Sequence, residues 1–209
     1  SIRNFGLIGV YVLEPAEPLP PMTQEDLEFE RFQIKAVSAI EEELDRILKT
    51  RKQSRIQTIA DMVIRNYGHL DEKINFYQNL RSLEDYVSRH SLNVAILCAM
   101  ITHVMNIRRE EQYHTVCAAL LHDMGKLKKH EDVYFGAPYS RGDAIRNCET
   151  QEEAYSVIED AFATEGPAIR RICQQAAGKQ LDLFPEEGKE SRYKMLEGSN
   201  VLLVANRYD

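Results

Sequence analysis

The chain has 209 residues, 44% of them hydrophobic and 28% charged, enough to bury one substantial core with a small appendage. Its 26 Lys and Arg stand against 33 Asp and Glu, a formal charge of -7, which excludes a broad phosphate-tracking surface for nucleic acid and requires any anionic ligand to be held by a local site. No apolar run is long enough to span a bilayer, and residues 1 to 20 hold no signal-peptide core because Glu14 and Pro15 interrupt the stretch after Leu13; the expectation is a cytoplasmic protein.

Residues 1–22 differ from everything after them. Gly6 to Leu13 reads as a short strand, and Pro15, Pro18, Pro20 and Pro21 make a stiff link, together an extended arm or linker. Thr23 with Asp26 starts a helix that continues to about Lys49. Its charge run from Glu41-Glu42-Glu43 to Arg51-Lys52 reads as a solvated helix face, or equally, with Ile40, Leu44, Ile47 and Leu48, as the seam of a homodimer or partner domain. Helices are predicted over 54–67 and 71–80, closing an N-terminal helical region of 23–82. From Leu83 to about Met105 the pattern is apolar on several sides, which predicts a buried helix; 110–123 is the next. Residues 128–149 read as irregular, with Tyr134 to Tyr139 too aromatic for a plain connector and a candidate substrate-facing loop. Helices follow at 151–163, 166–177 and 192–208. The fold class is all-α, with 83–209 as the main domain. The four cysteines are widely spaced, and three lie in helical apolar patterns where a reduced thiol packs as a small hydrophobe, so neither a disulfide framework nor a cysteine zinc site is expected.

The chemistry concentrates in Ala118-Ala119-Leu120-Leu121-His122-Asp123-Met124-Gly125-Lys126. Neighbouring helical residues point about 100° apart, so His122 and Asp123 reach one ion only if it lies against a helix end. Gly125 is expected to supply that end. An imidazole and a carboxylate suit a borderline or hard divalent cation, and Lys126 can meet a phosphate oxygen. The bland reading is a His-Asp pair capping a helix. His90 tips the balance, because two helices joined by a short turn pack antiparallel and bring the start of one, at His90, beside the end of the other. His69, His103, His114 and His130 have no partners at ligand spacing and read as surface or capping residues.

His90-Ser91 with Val94-Ala95, and Ala119 to Lys126, resemble the HD superfamily of metal-dependent phosphohydrolases, and most closely its HD-GYP branch of cyclic di-GMP phosphodiesterases. The resemblance spans roughly residues 60–209. It implies an HD-domain helical bundle in which His90, His122 and Asp123 bind a divalent metal (Fe, Mn, Mg or Zn), water attacks phosphorus, and Lys126 helps position the phosphate. The implied partner is a phosphate-containing small molecule, a cyclic dinucleotide in the HD-GYP case. The chain then departs from that branch. Thr150 stands where a further ligand His is carried, Ala176-Ala177-Gly178 stand where a His-His-Glu run is carried, and Leu183-Phe184-Pro185-Glu186 shares only an aromatic before proline with the Gly-Tyr-Pro loop. No histidine follows His130, so a second metal held by those histidines is not expected.

Val201 to Asp209 resembles the family's last ligand helix, but Asn206 occupies the place of the metal-binding carboxylate. An amide oxygen coordinates without bringing charge. Asp209, three positions on and on the same helical face, is the alternative ligand or else simply a solvated or a salt-bridged helix residue. Two functions follow: a phosphohydrolase with a reduced, mononuclear site, or an inactive HD-GYP-like module that binds a ligand or a partner protein.

Overall fold

The computed structural model describes residues 23–70, 85–128, 141–181 and 195–209. The expected strand at 6–13, the proline link, the helix at 71–80, the aromatic loop at 134–139, His130 and the segment around Leu183 lie outside the described residues. By its contacts the chain divides after Phe32. The described part of the first unit, 23–32, is helical from Gln24; the core and the candidate site lie in the second unit, Gln33–Asp209.

The described residues are all-α. In order they form α1 (Gln24–Thr50), α2 (Ile56–Tyr67), α3 (Tyr86–Val104), α4 (Arg109–Leu121), a 3-10 helix (Met124–Lys128), α5 (Arg141–Tyr155), α6 (Ile158–Phe162), α7 (Gly166–Leu181) and α8 (Glu197–Tyr208). Two expectations are corrected. Residues 141–149 are helical rather than irregular, and the helix predicted over 151–163 is two, divided around Val157. The polar face of 141–149 hides its period; its mean hydropathy is the lowest of these helices.

α4 is the core. From Thr115 to Leu121 every residue is fully buried, an unbroken apolar run rather than a stripe, as expected of a helix covered on all sides. It packs against α2, α3, α7 and α8. Small residues set the spacing: a side chain at Gly198 would collide with the Thr115 hydroxyl, so glycine lets α8 lie close on α4. The Cys173 thiol of α7 donates to Ala118 O at 3.6 Å. The first α8 turn is tied down from α7, where Gln175 Oε1 accepts both the Leu196 amide (2.9 Å) and the Ser199 hydroxyl (2.8 Å). With that end fixed, Asn206 and Asp209 at the far end arrive in a set register.

The α1 stripe proves to be core. Ile40, Leu44 and Ile47 are fully buried, and so is Glu43, which the charge run assigns to solvent. The Glu43 carboxylate accepts the Ser54 amide (2.7 Å), the Arg55 amide (2.9 Å) and the Ser54 hydroxyl (2.7 Å), satisfying amides that α2 leaves open at its start. No helix of the described residues is long and apolar enough to cross a membrane.

Candidate metal centre

The turn between α3 and α4 decides which residues meet. Asn106 takes the left-handed conformation (φ 53°), which Asn tolerates better than most side chains, and the Ile107 amide donates back to Thr102 O at 3.0 Å. α4 therefore runs back along α3. His90 and His122 stand at equal sequence separation from Asn106, sixteen residues on either side, so equal helical rise brings them level. Their rings lie 5.2 Å apart between centroids.

His90, His122 and Asp123 are all buried, and each offers one donor atom within 4.8 Å of the others. Asp123 Oδ2 is the shared vertex: His90 Nε2 lies 3.6 Å from it, His122 Nε2 3.7 Å and Lys126 Nζ 2.5 Å. α4 ends at Leu121, ahead of Gly125, and the 3-10 turn that follows folds Lys126 back onto Asp123. Gly125 serves close approach instead of stopping the helix. A Cβ there would meet Gln151 Oε1 at 2.5 Å and Thr150 O at 2.9 Å.

α5 holds the doublet in place. Gln151 accepts the Gly125 amide (2.9 Å) and donates to Asp123 Oδ1 (3.3 Å), and one turn on, the buried Tyr155 hydroxyl donates to His122 O at 2.6 Å. Neither residue stands out in the sequence. The family resemblance places Thr150 beside the site, but its hydroxyl donates to Arg146 O along its own helix, and the next residue makes the contact. A Gln and a Tyr four apart on a polar helix are the only signal the sequence offers.

Both rings are oriented by their second nitrogen. His122 Nδ1 donates to Ala119 O at 2.8 Å, leaving Nε2 as a bare lone pair, buried and without a hydrogen-bond partner. His90 Nδ1 lies 2.6 Å from Asp209 Oδ2, and its Nε2 lies 2.9 Å from Asn206 Oδ1. Asp209's other oxygen accepts Asn93 Nδ2 at 2.8 Å. Asn206 thus faces the nitrogen that looks toward the cluster, and Asp209 faces the other.

The electrostatics hold Asp123 and His122 in the protonation states that a ligand needs. Burial alone would push the Asp123 carboxyl up, but the Lys126 ammonium and the two imidazoles outweigh it and hold the group well below the usual carboxylate range. Burial, with His90 nearby, lowers His122 against the pull of Asp123, so its ring is neutral and available as a ligand at pH 7. Two imidazole nitrogens, a carboxylate oxygen and an amide oxygen gathered around a buried, unsatisfied lone pair fit a borderline divalent ion, and each imidazole already has the outer hydrogen bond that metal-bound histidines carry.

A small recess adjoins the cluster, lined by His122, Asp123, Gln151, Tyr155, Cys173, Ala176, Ala177 and Asn206. Burial pushes the Cys173 thiol up, so this residue is wall rather than a thiolate ligand.

A family model described as "HD domain" matches residues 87–194, just over half of the chain. The chain belongs to the HD domain family. The match takes in α3 through α7 and with them the His90, His122 and Asp123 cluster, a site that could hold the divalent metal of an HD phosphohydrolase; α8, with Asn206 and Asp209, follows it. Neither the curated proteins nor the solved structures give a match to this HD domain.

Proposed function

We propose that this HD domain is a metal-dependent phosphohydrolase of HD-GYP-like descent with one reduced metal site. His90 Nε2, His122 Nε2 and Asp123 Oδ2 would hold a divalent ion, with Asn206 Oδ1 as the neutral fourth donor. The observation that carries this reading is the buried His122 Nε2, unpartnered and turned to the same place as Asp123 Oδ2. When bound, such an ion supplies Lewis-acid chemistry for cleavage of a phosphate ester by water.

The chain's own residues do the rest. Tyr155 fixes the His122 carbonyl, and Gln151 ties the Asp123 carboxylate to the Gly125 amide, so His122 and Asp123 are preorganised. Lys126 bonds Asp123 at 2.5 Å and is the cation placed to turn to a phosphate oxygen. The His-Asp-Met-Gly-Lys run supports a phosphodiester, and a cyclic dinucleotide in particular, as substrate. Among Fe, Mn, Mg and Zn, the two imidazoles suit Fe or Zn and the carboxylate and amide oxygens suit Mn, while Mg, a hard ion that takes oxygen ligands, suits the set least.

A second reading, a ligand-sensing or partner-binding module without turnover, is favoured by Asn206 in place of an acid and by Ala176 and Ala177 in the recess wall. Assays of bis(p-nitrophenyl) phosphate and cyclic di-GMP with added Mn2+ or Fe2+ separate the two. The hydrolase reading expects turnover that His122→Ala abolishes. Heat protection by cyclic di-GMP without turnover selects the module.

A further inference from the structure

We propose that Asp209 is a positioning residue that acts through His90: clamped by Asn93, its carboxylate fixes the ring in the Nδ1-H form and aims Nε2 at the His122–Asp123 cluster. The inference rests on the metal-site reading above and deepens it.

The geometry separates the two α8 side chains by role. Asn206 and Asp209 are three apart on one helix and address the two different nitrogens of one imidazole. Both facing oxygens can only accept, but the charged carboxylate 2.6 Å from Nδ1 is the stronger and nearer acceptor and takes the ring proton ahead of the neutral Asn206 Oδ1, 2.9 Å from Nε2. With that proton on Nδ1, the lone pair stands on Nε2, the atom 3.6 Å from Asp123 Oδ2. Were the proton on Nε2 instead, His90 could not serve as a ligand to an ion in the cluster.

Asp209 is itself held. Its Oδ1 accepts from Asn93, which lies three residues after His90 on the same helix and is buried, so ring and clamp move as one unit. Its side chain is only 6% exposed, against the reading of a solvated helix residue. Both of its oxygens are engaged away from the cluster, against the reading of a direct ligand. Tyr86 stacks parallel to the ring, with 6° between planes and 5.7 Å between centroids, and limits tilting. Tautomer and ring plane are set by different neighbours. Outer-shell carboxylates of this kind typically contribute about 10- to 100-fold to metal affinity by orienting the imidazole and raising its basicity.

The test uses the full chain, 15N-labelled and metal-free, with the His90 tautomer read from multiple-bond 15N correlations and Mn2+ affinity read by titration. Wild type is expected to show His90 protonated on Nδ1. Asp209→Ala is expected to shift the ring to the Nε2-H form and to weaken Mn2+ binding by about 10- to 100-fold. Asp209→Asn, which keeps an acceptor oxygen, is expected to recover the tautomer and part of the affinity. Should Asp209→Ala fail to fold, Asp209→Asn and Asn93→Ala carry the same two readouts, the latter expected to weaken Mn2+ binding less than Asp209→Ala. Wild-type tautomer and affinity in Asp209→Ala, a doubly protonated His90 in wild type, or lost stability with both readouts unmoved overturns the proposal. Failure of wild type to bind Mn2+ overturns the metal-site reading instead, and the tautomer still reports on Asp209.

Discussion

Replacing Lys126 with Met should move stability and metal affinity in opposite directions. Its ammonium and the candidate ion contend for one atom, Asp123 Oδ2, which also faces both imidazoles. Removing one partner of a buried ion pair costs about 3–5 kcal/mol. Here the cost is smaller, because the Lys126 side chain is 31% exposed and Asp123 keeps Gln151 at 3.3 Å, so about 2 kcal/mol is expected after allowing for solvent screening. Urea denaturation of chelator-treated protein measures it. In wild type an ion must displace the ammonium, so Lys126→Met should bind Mn2+ more tightly, by up to about 30-fold if the whole 2 kcal/mol is recovered. Phosphodiester turnover should nonetheless fall, since the cation placed for the phosphate is gone. Equal or weaker Mn2+ binding in Lys126→Met would refute the competition between ammonium and ion.

Three further expectations follow from neighbouring contacts. Gly125→Ala puts a Cβ against Thr150 and Gln151 backbone, which must shift; a loss of about 1–3 kcal/mol is expected, with weaker Mn2+ binding because Gln151 leaves Asp123. Thermal denaturation and Mn2+ titration check it, and a variant as stable as wild type contradicts the packing. Glu43→Gln should cost about 1.5–3 kcal/mol at pH 7, the worth of charge-assisted hydrogen bonds at the α2 start. Burial raises this carboxyl, but the Ser54 and Arg55 bonds and Arg46 hold it below 4.5, so its contribution is present above pH 4.5 and lost as pH falls through the folded value; the gap between variant and wild type should close on acidification. For His122, burial lowers the pKa below 6.5, so the unfolded chain takes up the proton first. Ion-free wild type should therefore lose stability as pH falls from 6.5 toward the folded value, and His122→Gln should show a shallower slope over pH 7 to 5.

Periodicity reveals the helices that are apolar on their buried side. α3 and α4 are legible because Val94 to Ala99 and Thr115 to Leu121 can only be core. α5 is not, since 141–149 is polar and the buried members that follow, Gln151 and Tyr155, are types that usually face solvent or caps. Glu43 misleads for the same reason: a charge in a charged run looks solvated until the amides of another helix are seen to need it. The meeting of His90 with His122 and Asp123 is readable as topology, from two helices and a short turn. The separate duties of Asn206 and Asp209 are not, because both are short polar residues on one face, and only the orientation of the His90 ring distinguishes them.

The most direct measurement is the metal content of purified protein, with the first shell around His122 defined by X-ray absorption or anomalous diffraction. One divalent ion per chain is expected, with two nitrogen donors and the Asp123 carboxylate in its shell, lost in His122→Ala. An ion-free protein that takes up no Mn2+, Fe2+ or Zn2+, or one whose ion persists in His122→Ala, would contradict it.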